Sequence, residues 1–169
     1  VKAAGVILAV AVALAVQTTL ARFIVRSTIA VDLVLVVVVY VALLWGPVTG
    51  LLAGALAGLL QDALASGVIG IGGLAKTIVG FLAGIIGTQF IVAQPLPRFV
   101  VFFGATVLHA VIFMGLYVLL DLRHFGTPYA AVAGQAAGNA TVGVVAFQLV
   151  ELLPGAVERR RSQNSRLRR

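Results

Sequence analysis

Gly50-Leu51-Leu52-Ala53-Gly54-Ala55-Leu56-Ala57-Gly58-Leu59-Leu60-Gln61-Asp62 is the stretch on which the reading of this chain turns. It is apolar enough to lie in a bilayer, yet it ends on an amide and an acid. Gly46, Gly50, Gly54 and Gly58 recur every four residues, and a helix stacks such positions along one narrow stripe. Hydrocarbon gives apolar helices little reason to associate, and close backbone approach through small residues supplies one. Gly67, Gly70, Lys76, Gly80 and Gly84 follow. Asp62 and Lys76 are costly at membrane depth unless they are paired or face a polar cavity. The segment is expected to be buried against protein.

Composition points to the same solvent. Hydrophobic residues make up 62% of the 169 and charged residues 10%, against roughly a quarter charged in soluble domains. A core of this size cannot hide that much apolar surface from water, so lipid takes the role of solvent. There is no cysteine, which removes disulfides, thiolate chemistry and cysteine-based metal sites. The net charge of +7 gathers at Arg159, Arg160, Arg161, Arg166, Arg168 and Arg169. A basic tail on an apolar chain points to anionic lipid headgroups and cytoplasmic retention, not to nucleic acid.

Six hydrophobic segments can be traced, at about 3–20, 32–46, 47–65, 74–92, 99–120 and 128–153. Pro47 can open the third because the first helical residue needs no backbone donor. Gly67, Gly70, Gly72 and Gly73 are read as a flexible turn, and Pro95 and Pro97 as a break before the fifth span. The second segment is short for a bilayer crossing, which takes about twenty helical residues. It can recruit residues 27–30 or meet the third through a tight Gly46-Pro47 hairpin. The first segment is read as a retained helix, longer than a usual signal core. The organisation is thus an all-α membrane domain over residues 1–155 and a basic tail over 156–169. Six spans put both ends on one side, and the tail makes that side cytoplasmic, with Lys2 and Arg98. Arg22, Arg26 and Arg123 fall outside, partly offset by Asp32 and Asp121.

Few groups could carry chemistry. Asp62 and Lys76 lie about equally far from the turn at 67–73 on antiparallel helices, so they can form an ion pair near the outer face. That pair is either a substrate, ion or proton site or a clamp on the hairpin; charge near helix ends favours the clamp. His109 stands alone in its span, and an interhelical hydrogen bond is favoured over a metal site. Gln135, Asn139 and Thr141, with Gly134 and Gly138, suggest close packing with polar contacts. Glu151 is expected at the interface, paired with an arginine. Trp45, Tyr40, Tyr117 and Tyr129 are expected as interfacial anchors. No nucleophile elbow, P-loop or metal-binding helix motif is present.

Read as a whole, the chain resembles the rod shape-determining MreD family. The likeness rests on length, span count, basic tail and the block Gly58-Leu59-Leu60-Gln61-Asp62 with Gly67, Gly70, Gly80 and Gly84, similar to that family's central "GLLQD". Asp32-Leu33 resembles the acidic start of its second helix, with Val31 where the family usually has proline. The resemblance implies a non-enzymatic scaffold, without cofactor, in the bacterial inner membrane. Its implied partners are MreC and, less directly, RodA, a class B penicillin-binding protein and MreB. It also implies a fold similar to the substrate-binding subunits of energy-coupling-factor vitamin transporters, and such a subunit is the alternative function. Gly46, Gly50, Gly54, Gly58, Gln61, Asp62, Lys76, Gly80, Gly84 and Asp32 are the candidate structural or partner-binding residues.

Overall fold

The apolar runs become α-helices, with no strand among the described residues. The structure, a computed structural model, describes residues 2–23, 31–65, 68–89, 94–122, 125–126 and 128–152. The helices are α1 (Lys2–Phe23), α2 (Leu33–Trp45), α3 (Pro47–Leu64), α4 (Ile71–Gln89), α5 (Pro95–Leu119) and α6 (Tyr129–Leu152). Four of them, α3 to α6, are long and apolar enough to cross a membrane. The apolar part of α1, Ala4–Thr19, and α2 are shorter. Gly67, Arg26, Arg123 and the arginines of the tail lie outside the described residues.

Two predicted boundaries move, each for a local reason. Gly72 and Gly73 belong to the first turn of α4, not to a loop. The Asp62 carboxylate accepts from the backbone N–H groups of Gly70 (2.9 Å) and Gly73 (3.1 Å), and so supplies partners that a helix start otherwise lacks. The chain bends at Gly70, whose φ of +108° an L side chain would strain. Pro95 and Pro97 open α5 instead of breaking it. Both sit in the first turn, where a missing N–H costs no intrahelical bond. The tight connection between α2 and α3 is the single residue Gly46, at φ +88°.

Close packing of α3 on α4 organises the bundle. A Cβ added at Gly50 would fall on the carbonyl oxygen of Gly80, and one at Gly80 on that of Gly50. Gly54 lies against the Lys76 carbonyl, Gly58 against Gly73, and Gly84 against Pro47. The helices therefore run antiparallel with their backbones in contact. Gly87 abuts the backbone of Leu43, which brings α2 onto α4. The glycine stripe is filled inside the chain: of the two roles the sequence left open, structural and partner-binding, Gly50, Gly54 and Gly58 here take the structural one. Gly46 sits in the turn, with its carbonyl carbon against Gly84 and its own Cβ position facing Thr88.

The α5–α6 pair is a second antiparallel unit. Gly143 admits the Phe102 ring, and Arg98 grips Glu151 through both guanidinium nitrogens while lying 4.4 Å over Phe147. The predicted Glu151–arginine pairing is thereby found. Leu35, Val36, Val39, Ala42, Val79, Ala83, Phe102, Ala105, Ala140 and Phe147 form one apolar cluster joining this unit to α2 and α4. Tyr40 belongs beside that cluster, 4.2 Å from the Phe147 ring, and not at an interface. Trp45 and Tyr129 are exposed at helix ends, as expected. On the other side Val10, Ala13 and Leu14 of α1 pack on Val34, Val38 and Ala57.

Candidate functional site

The short α2 begins deep in the bundle, and that start is where the polar side chains converge. Asp32, the N-cap of α2, accepts from the Leu35 N–H at 3.0 Å through one carboxylate oxygen. The other oxygen lies 2.8 Å from Lys76 Nζ on α4. Lys76 Nζ is also 3.2 Å from His109 Nε2 on α5. On the α6 side, the Asp32 N–H donates to Asn139 Oδ1 (2.9 Å) and Asn139 Nδ2 donates to Thr106 Oγ1 (3.1 Å). Thr106 in turn donates to the Phe102 carbonyl. From α1, Gln17 Oε1 accepts from the Val34 N–H at 3.2 Å. One connected network therefore links the side chain that caps α2 with side chains from α4, α5 and α6, and Gln17 adds a separate bond from α1 to the first turn of α2.

Depth makes this arrangement informative. His109 lies roughly 15 Å along α5 from its C-terminal end, and Asn139 roughly 15 Å into α6, at ~1.5 Å per residue. Asp32, Lys76, Thr106, His109 and Asn139 are all buried. An isolated charge there would be expensive, while a pair with its remaining hydrogen-bonding capacity met is tolerated. Asp32 also sits at the positive end of the α2 dipole. With Lys76 as an ammonium, His109 Nε2 must accept, so the imidazole is neutral and its proton is on Nδ1. The arrangement can hold one ion pair and report the protonation of one histidine. Among the described residues no group of three or more histidine or acidic side chains is placed to hold a metal ion.

The predicted pairing of Asp62 with Lys76 is not found. Asp62 caps the start of α4, and Lys76, buried from its second turn, reaches Asp32 instead. Equal distance from a turn sets depth but not the face of the helix, and these two side chains take different faces. Gln61, also in the central block, has a buried Oε1 without a hydrogen-bond partner among the described residues. Asn139 makes the polar contacts expected of it; Thr141 is exposed and bonds only within its own helix. Gln17 and Thr106 were missed by sequence reasoning. Thr106 could have been found by its place one turn before His109; Gln17 has only its polarity within an apolar helix to mark it.

A second feature lies on the outside of α5. Gly104 and Gly115, about three turns apart and thus on one face, are exposed and have nothing within 4 Å of an added Cβ. Val100, Val111 and Val118 share that exposed face. At its far end the face runs into a shallow apolar notch of about 460 Å³ lined by Gly115, Val118, Leu119, Phe125, Pro128 and Tyr129, among others.

A family model described as rod shape-determining protein MreD matches residues 2–154. No curated protein and no solved structure matches the chain.

Proposed function

Since the chain belongs to the rod shape-determining MreD family, a membrane family with a role in bacterial rod shape, we propose that it works as a non-enzymatic scaffold that binds MreC. In this reading the chain crosses the inner membrane six times with both termini in the cytoplasm. It connects MreC to the lateral peptidoglycan machinery, including RodA, a class B penicillin-binding protein and MreB. The tail arginines add attraction to anionic lipid on the cytoplasmic side.

The observation that carries the docking site is the pair of neighbourless glycines on α5. Glycine inside a helix costs about 1 kcal/mol relative to alanine. Inside this chain Gly50, Gly54, Gly58, Gly80 and Gly84 offset that cost through close contacts, while Gly104 and Gly115 have none. A partner helix laid along Val100, Gly104, Val111 and Gly115 could approach as closely as α3 approaches α4, and the notch would receive a bulky side chain. The family's partner with a single membrane helix is MreC.

Gly104→Leu and Gly115→Leu test the assignment, because a Cβ at either position meets nothing within 4 Å among the described residues. Each variant should insert and purify as well as the parent and lose at least about tenfold of MreC co-purification. Undiminished MreC capture by both variants would reject this face. A wild-type protein that bound no membrane partner but bound a vitamin-like ligand saturably would replace the scaffold with the transporter-subunit reading.

A further inference from the structure

Five of the six helices divide into two bodies, joined by contacts of two kinds. In one, α3 and α4 interlock backbone to backbone, with α2 held on α4 at Gly87 and Gly80. In the other, α5 and α6 are locked by Phe102 in the Gly143 notch and by Arg98–Glu151. The bodies meet through methyl groups and rings that run from Leu35, Ala105 and Ala140, beside the start of α2, to Ala83, Phe102 and Phe147 toward the Gly46 end. At the start of α2 two polar contacts are added, Lys76 to His109 and Asp32 to Asn139. Apolar contacts can roll without losing a specific partner, whereas a hydrogen bond is either made or lost. The apolar contacts toward the Gly46 end are built as a pivot and the two polar contacts as a latch.

We propose that protonation of His109 opens this latch, letting the α5–α6 hairpin swing from α2 and α4 about the apolar pivot. In the closed state the neutral ring accepts from the Lys76 ammonium at 3.2 Å. A proton on Nε2 turns that acceptor into a donor and sets two cations against each other. The groups facing His109 from the packed elements are Lys76 on α4 and Asp32 on α2. Asp32 is already held by Lys76 and the α2 N-terminus, so it stays with α4 while α5 leaves. From the ring, the stack His109–Phe113–Tyr117–Phe125 leads toward the end of α5. Closure requires the neutral ring and opening takes up one proton, so falling pH favours the open form. The open-to-closed ratio rises by up to about tenfold per pH unit. The device does not depend on which partner docks on α5.

The absence of native cysteine makes the test direct. Spin labels at Leu74→Cys on α4 and Leu120→Cys at the end of α5, both exposed positions, report the gap in lipid nanodiscs. Titration from about pH 7.5 to about pH 4 extends well below the ordinary histidine range. A longer distance should appear on acidification and vanish on return to neutral pH. His109→Gln keeps an acceptor but cannot take up the proton, so it should hold the short distance throughout. Nitrogen NMR of the imidazole, with His124→Gln leaving one histidine, reads the ring without altering the latch. Protonation and opening should coincide. Distances that stay fixed across the titration, or that still lengthen in His109→Gln, would overturn the proposal. Should His109→Gln fail to fold, a protonated ring without a distance change in the otherwise unaltered chain overturns it equally.

Discussion

Asp32 shows how much one residue can be asked to do inside a membrane protein. It caps α2, neutralises Lys76 and holds Asn139 through its own N–H. Removing only its cationic partner strands a carboxylate in a buried site, which costs about 3–5 kcal/mol. Lys76→Met should therefore lower the thermal aggregation temperature and folded yield sharply. Adding Asp32→Asn to Lys76→Met removes the stranded charge while keeping a capping oxygen, and should recover most of the loss. A double variant no more stable than Lys76→Met would show that the ion pair is not what the fold depends on. Gln61 is the opposite case: its buried Oε1 has no partner among the described residues and adds a desolvation cost of about 1–3 kcal/mol. Nothing in the structure explains its presence.

At the scale of the element, identical chemistry has opposite meanings on different helices. Gly54 of α3 has the Lys76 carbonyl and the Thr77 nitrogen where a Cβ would go; Gly104 of α5 has nothing there. Gly54→Leu should force α3 and α4 apart and abolish the monodisperse folded protein by itself, whether or not MreC is present. Size-exclusion profiles of the variant alone decide this. A well-folded Gly54→Leu protein that merely lost MreC would move the docking face back to α3. The spacing of Gly46, Gly50, Gly54 and Gly58 was sufficient to mark a packing stripe, because i, i+4 periodicity is local. Which surface fills the stripe is a non-local matter, and so is the emptiness around Gly104 and Gly115.

At the scale of the molecule, four helices among the described residues are long and apolar enough to cross a membrane, and the proposed six-pass arrangement adds α1 and α2. Reporter fusions between Gly67 and Gly70 and after Arg169 should read opposite sides, with the tail cytoplasmic. Both reporting one side would remove the six-pass count, and a periplasmic tail would reverse the orientation. The proposed two-body division gives the arrangement a direction, with the apolar pivot toward the Gly46 end and the polar latch at the start of α2.

Residue order alone determined the solvent, the helices and most of their limits. Hydropathy and the 3.6-residue period act over one helix and need no knowledge of neighbours. It also marked His109, Asn139, Glu151 and the glycine stripe as groups requiring a protein partner, since lipid can satisfy neither a charge nor a close backbone approach. Helix starts moved where a cap or a tolerated proline intervened, as at Gly72 and Pro95. Only the tertiary structure decided the pairings. Asp62 and Lys76 are neighbours along the chain's path, yet Lys76 finds Asp32 on a helix encoded far upstream. Rotation of each helix about its axis is set by packing on all its neighbours at once, and a linear sequence does not display that rotation.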